Sequence, residues 1–143
     1  MPQANWTQEH VARYIESGGA DGHIWTGHDG KGDFPCLLLT TSGRKSGERR
    51  VTPLIYGRDG DDYVIIASQG GRPNHPAWYF NLDADAKVGV QVQADVFAAS
   101  ARTAGAGDRD RLWKMMAQIY PPYDEYQVKA ASREIPVVVL SRV

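Results

Sequence analysis

Apolar residues fall into two rhythms along the chain. Short runs, continuous or alternating, recur six times. They are Leu37-Leu38-Leu39 with Thr40-Thr41, Val51 to Tyr56, Tyr63–Ala67, Val88 to Val92, Val96 to Arg102, and Ile135–Leu140. Runs this short, rich in branched residues and bounded by Gly, Asp or Pro, predict β-strands. Helical spacing appears in three places. From Asn5 to Gly18-Gly19, Val11, Tyr14 and Ile15 share a stripe, with Asn5 placed to cap and Gln8 three residues on. Ala77 to Asp83 reads as a short helix after Pro76, with Trp78 and Asn81 on one face. Asp108 to Tyr120 carries Leu112, Met115, Met116 and Ile119 on a third stripe, and Pro121-Pro122 breaks it before a further short helical turn. Residues 18 to 34, rich in Gly, Asp and His, read as loop, and Asp59-Gly60-Asp61 as a hairpin turn.

This order predicts an α+β, mainly β fold. About six mostly antiparallel strands curl towards a barrel, with an N-terminal helix and flanking helices. Regular β-α-β alternation is missing, which excludes a Rossmann-type sheet. A single domain is expected over 1–143, with the N-terminal helix and loop occupying 1–34.

Composition narrows the function. A net charge of −1 over 143 residues excludes a general nucleic-acid binder. Cys36 is the single cysteine, so no internal disulfide can form, and a reducing, cytoplasmic setting is expected. Cys36 itself reads as a small core filler. The longest apolar runs, Cys36–Leu39 and Ile135–Leu140, are too short to span a bilayer. The first helix is expected to pack on the barrel; covering a pocket and touching a membrane surface are the other roles open to it. A homodimer is also left open.

The chemistry gathers at two glycine turns and one aromatic stretch. Residues 44 to 50 hold Arg44, Lys45, Arg49 and Arg50 against Glu48, a local net charge of +3. Bracketed by Gly43 and Gly47, with Ser46 beside them, these cations suit a phosphate or polycarboxylate. A solvated hairpin tip would have the same composition. The G-x-x-x-x-G-K spacing of a P-loop is absent. The second turn, Ser68-Gln69-Gly70-Gly71-Arg72, offers a hydroxyl where a ligand can approach the backbone. Tyr120, Tyr123 and Tyr126 recur every third residue. They either wall a flat pocket and aim a hydroxyl at a substrate oxygen, or pack half-buried with hydroxyls in water. Trp78 is likewise a core filler or a platform for a planar ring. His23 and His28, five apart, lack companions for a metal site, and none is assigned. With no catalytic triad and no G-x-G-x-x-G, hydride chemistry would need a flavin-like carrier.

Four segments then stand in a telling order: LLLTTSGRKSGERRVTPLIYGRDGDDYVIIASQGG, NHPAWYFNL, YPPYDEYQ and REIPVVVL. Together they resemble the deazaflavin-dependent nitroreductase family, whose members use coenzyme F420, a deazaflavin with a phosphate and an oligoglutamate tail. The resemblance runs from about Pro35 to the C-terminus and implies a split β-barrel like that of flavin-binding oxidases. It implies that Arg44, Lys45, Ser46 and Arg50 hold the phosphate and acidic tail. Val51, Thr52 and Pro53, with Ile66, Ala67, Ser68 and Gln69, would line the ring, and Ala77, Trp78 and Asn81 match cofactor-pocket positions. Tyr120, Tyr123 and Tyr126 match the tyrosines on the substrate side, with Ser68 near the reacting carbon. The implied reaction is hydride transfer from reduced F420 to a small electron-poor acceptor: a quinone, an enone or a nitro compound. Tyr123 is expected to donate a hydrogen bond or a proton to the acceptor. The chain departs from the family where a lysine usually follows the serine of the A-S-x-G-G turn. Gln69 stands there, with Arg72 nearby as a substitute cation. An FMN enzyme on the same barrel and a non-catalytic deazaflavin binder are the rival readings.

Overall fold

Alternation within two strands decides the architecture. A computed structural model describes residues 2–143, with side chains from Thr7 onward. In chain order it contains α1 (Pro2–Glu16), β1 (Ile24–Trp25), β2 (Phe34–Ser42), β3 (Arg49–Ile55), β4 (Gly57–Asp59), β5 (Asp62–Ile66), a 3-10 turn (Gln69–Gly71), α2 (Ala77–Ala84), β6 (Lys87–Val92), β7 (Asp95–Thr103), α3 (Ala106–Ile119), α4 (Pro122–Lys129) and β8 (Val137–Arg142). On β5 and β8, Tyr63, Ile65, Val138 and Leu140 point into the curl of the sheet, where they meet Leu37, Leu39, Val90 and Phe97. Their neighbours Val64, Ile66, Val137 and Val139 point out, and α3 and α4 cover them with Leu112, Met116, Tyr120 and Tyr123. Both faces of these strands are therefore apolar, which explains their unbroken apolar runs.

All described pairings are antiparallel, in the order β1-β2-β6-β7-β8-β5-β4, with β3 on β2. The result is a curled half-barrel of the split type. All six expected strands are present. Two short segments, β1 and β4, join them from stretches the sequence reads as loop or turn. With two and three residues they carry no readable period. β3 pairs with β2 alone, in register Leu38↔Pro53. Pro53 suits such an edge, because it has no N–H to give a second neighbour.

The expected helices are all present. α1 begins at Pro2, so Asn5 lies inside the helix and not at its cap, and the Asn5 side chain lies outside the described residues. The glycine pair ends the helix by turning left-handed, at φ 60° and 85°, and only glycine fits at position 19, where a Cβ would stand 2.2 Å from the Gln93 Cα in the β6–β7 hairpin. Tyr14, fully buried, ties α1 to the barrel. Its hydroxyl donates to the Cys36 carbonyl at 2.9 Å and accepts from the Gln93 N–H at 2.8 Å. No helix among the described residues is long and apolar enough to cross a membrane.

Tyr14→Phe strands that buried carbonyl and that N–H together. A loss of about 1–3 kcal/mol of unfolding free energy is expected, measured by urea denaturation. An unchanged midpoint would mean that α1 is held by packing alone.

Candidate active site

The basic bend between β2 and β3 is held from two sides. Within it, the Gly43 N–H donates to the Glu48 carbonyl and the Gly47 N–H to the Gly43 carbonyl, both at 2.7 Å. The Ser46 hydroxyl accepts from the Glu48 N–H at 3.2 Å. Across from it, Asn81 of α2 is buried. Its Oδ1 accepts the Arg44 N–H at 3.0 Å while its Nδ2 donates to the Thr41 hydroxyl at 3.2 Å. Asn81 thus fixes where the bend leaves β2. The cations themselves are exposed. The Arg44 guanidinium sits 5.0 Å above the Phe80 ring, and Arg50 makes a solvent-facing ion pair with Glu48 at 3.2 Å. A pair so exposed contributes little and leaves the arginine available to an anion.

A cleft of about 1050 Å³ opens beside this bend. Arg44, Lys45, Ser46 and Arg50 line one part of it, Val51, Thr52, Ile66, Ser68 and Gln69 another, and Ala77, Trp78 and Asn81 a third. Trp78 belongs to the barrel core and also edges the cleft. Arg49 adds a further cation. The roof is α1, through Thr7, Gln8, Val11, Ala12 and Ile15. So the first helix both packs on the barrel and covers a pocket, which its amphipathic stripe alone could not decide.

A second pocket, about 260 Å³, adjoins the first. Tyr120, Tyr123 and Tyr126 wall it, with Pro53, Trp25 and His28. Leu54, Ile66, Ser68 and Gly70 line both spaces, so the two meet along that floor. The Tyr120 and Tyr126 hydroxyls are hydrogen-bonded to each other at 3.0 Å. Tyr123 is the deepest of the three. Its hydroxyl has no hydrogen-bond partner among the described residues, yet its oxygen is not sealed off, so it faces the pocket. Burial raises its pKa far above the usual phenol range; burial and the bond to Tyr126 do the same for Tyr120. Both remain neutral hydroxyls at any ordinary pH.

Three expected positions fall elsewhere. Ala67 lines neither space: it is fully buried in the barrel core, because alternation turns it inward between Ile66 and Ser68. Pro53 lines the tyrosine pocket and not the larger cleft. Arg72 is exposed and lines neither. Gln69 does line the cleft, but its amide donates to the Asn74 carbonyl at 2.9 Å, and its backbone is held at φ 48°. Such a conformation in a residue other than glycine costs free energy and marks a turn fixed by its surroundings. Elsewhere, His23 is hydrogen-bonded to the Tyr56 hydroxyl at 2.9 Å and His28 stands edge-on to Trp25, so each is engaged separately. Cys36 is buried beside the tyrosine pocket, its thiol pushed up to about 12 by burial.

The lining fits a phosphorylated, acidic, planar cofactor: exposed cations and a serine hydroxyl at an open end, apolar and aromatic walls further in. Comparison with known proteins agrees. Residues 6–142 match the family model described as F420H(2)-dependent quinone reductase. The chain belongs to this family. The F420H(2)-dependent quinone reductase of Mycobacterium tuberculosis is 39% identical over 99% of both chains. A solved F420-H2 dependent reductase is 42% identical, with a TM-score of 0.69 over 75% of this chain and 94% of its own. A structure described as a domain-swapped dimer is 38% identical, with a TM-score of 0.72 over 97% of this chain and 99% of its own. A FAD-binding protein from Mesorhizobium loti shares the fold alone, at 16% identity and a TM-score of 0.51 over 75% of this chain and 78% of its own.

Gly71 is the tightest point between that turn and α4. At φ +80°, a Cβ there would lie 2.8 Å from the Tyr126 carbonyl oxygen. Gly71→Ala is expected to cost about 1–3 kcal/mol, with the loss read by chemical denaturation. A variant as stable as the parent would show that α4 can yield.

Proposed function

We propose that the protein is a reductase that takes reduced coenzyme F420 into the larger cleft. A quinone, enone or nitro compound would enter the tyrosine pocket. The observation that carries this reading is the shared floor: a cation-lined cleft and an aromatic pocket meet at Leu54, Ile66, Ser68 and Gly70. When bound, the deazaflavin supplies the hydride. The residues of this chain supply position and charge.

Arg44, Lys45 and Arg50, with the Ser46 hydroxyl, would grip the phosphate and carboxylates, and Asn81 keeps their loop in place. Val51, Thr52, Ile66 and Trp78 form the apolar walls that exclude water from the ring. Donor and acceptor must come within about 3–3.5 Å, and a common floor favours that approach. As the acceptor oxygen gains negative charge, the Tyr123 hydroxyl would donate a hydrogen bond or a proton to it. Burial keeps the hydroxyl protonated in the free protein, so it would be available to stabilise that charge. Tyr120 and Tyr126, bonded to each other, stiffen the wall that presents the acceptor.

Fluorescence titration with F420, followed by an acceptor screen with menadione and an enone, tests this directly. Tyr123→Phe is expected to lower turnover about 10²–10³-fold while leaving cofactor affinity nearly unchanged; unaltered turnover would remove Tyr123 from the mechanism. Arg50→Ala is expected to weaken F420 about tenfold at low salt and less at high salt, because screening already suppresses an exposed charge contact there. A dissociation constant indifferent to both the substitution and the salt would overturn the anion grip. Tighter binding of FMN than of F420 would point to the flavin enzyme instead.

A further inference from the structure

Two of the four floor residues shared by the pockets, Ser68 and Gly70, belong to the turn after β5, and that turn is held by a residue from the far end of the chain. β5 ends at Ile66, so the carbonyls that follow have no ladder partner. Arg133 supplies the donors. Its Nε donates to the Arg72 carbonyl at 2.9 Å, one terminal nitrogen to the Ser68 carbonyl at 2.7 Å, and the other to the Ala67 carbonyl at 3.2 Å. That last nitrogen also meets His75 Nδ1 at 2.9 Å, which makes Nδ1 the acceptor. Every nitrogen of the guanidinium is used, and it reaches four separate acceptors. A lysine ammonium, a single point with three donors, could not span them. Within the turn, the Gly71 N–H closes on the Ser68 carbonyl at 2.9 Å and the Arg72 N–H on the Gln69 carbonyl at 3.2 Å.

We propose that Arg133 is a positioning residue whose guanidinium clamps the Ser68–Arg72 turn, and that the clamp loosens when His75 takes up a proton. A protonated imidazole has no acceptor at Nδ1 and sets a second cation against Arg133. The groups facing His75 can be named from each side. Arg133 comes from the segment after α4. Tyr79 and Phe80 of α2 hold their rings at 4.9 and 5.7 Å. Asp83 of α2 favours the proton, and Arg72 brings its carbonyl to the same clamp. Burial first, then Arg133, keep the imidazole below the ordinary histidine range against the pull of Asp83, so the clamp is closed at neutral pH. The proposal rests on the reductase reading for what the turn serves, but not for how it is held.

Amide hydrogen exchange on the cofactor-free protein, corrected for intrinsic rates and followed from pH 8 down to 4.5, is the test. In Arg133→Lys at pH 7, the Gly71 and Arg72 amides are expected to exchange about tenfold faster, while the ladders of β2, β6 and β7 keep their protection. In the wild type the same two amides lose protection as pH falls below the ordinary histidine range. In His75→Gln, whose amide oxygen can still accept, that step disappears. F420 affinity of Arg133→Lys is expected to fall about tenfold, with the melting temperature little changed. Turn amides indifferent to Arg133→Lys, or protection lost evenly through the barrel, would overturn the clamp. A flat wild-type profile would overturn the role of His75. Should Arg133→Lys not fold, the wild-type profile against His75→Gln decides alone. A wild type that fails to bind F420 but shows the pH step would reject the reductase reading and leave the clamp standing.

Discussion

β3 and β5 come alongside each other without exchanging a ladder, and the site depends on that gap. β3 gives its hydrogen bonds to β2, whereas β5 gives its own to β4 and β8. A barrel closed at this seam would bury Leu54 and Ile66 against each other and leave no floor. Pro53 helps keep it open, since one N–H of the free edge is missing. The helices then cover what the open seam exposes: α1 lies over one space and α4 walls the other.

The chain spends its polar side chains on holding loops in place. Asn81 is buried, yet both ends of its amide hold the basic bend. Arg133 does the same for the turn beyond β5, and Tyr14 for the helix above it. A buried polar group left unpaired would be costly, so each of these bonds specifies a position as well as stabilising it. The exposed cations of the bend are left with weak partners. That division, with firm bonds beneath and loosely held charge above, suits a site that must keep its shape and still receive an anion.

Much of this was legible in the chain because it depends on local pattern. The six strands, α3 with Leu112 and Met116, and the turn at Gly70-Gly71 all follow from period and composition. The basic bend was legible as charge, though not as the mouth of a cleft. What escaped depends on meetings in space. Ala67 looked like a lining residue because its neighbours are; only the register of β5 turns it inward. The stripe on α1 fits a helix that packs and one that roofs a pocket equally well, and the structure makes it both. Arg133 stood in a recognisable segment, but no spacing shows that it reaches carbonyls some sixty residues earlier.

One small feature bears on how such a reductase outlasts its own substrates. Quinones and enones are electrophiles, and thiolates add to them readily. Cys36, the single sulfur nucleophile of the chain, lies against the tyrosine pocket where an acceptor would dock. Because burial pushes its ionisation up to about 12, the sulfur there stays a thiol and is a poor partner for conjugate addition. The apolar packing around this pocket thereby keeps its one thiol from ionising.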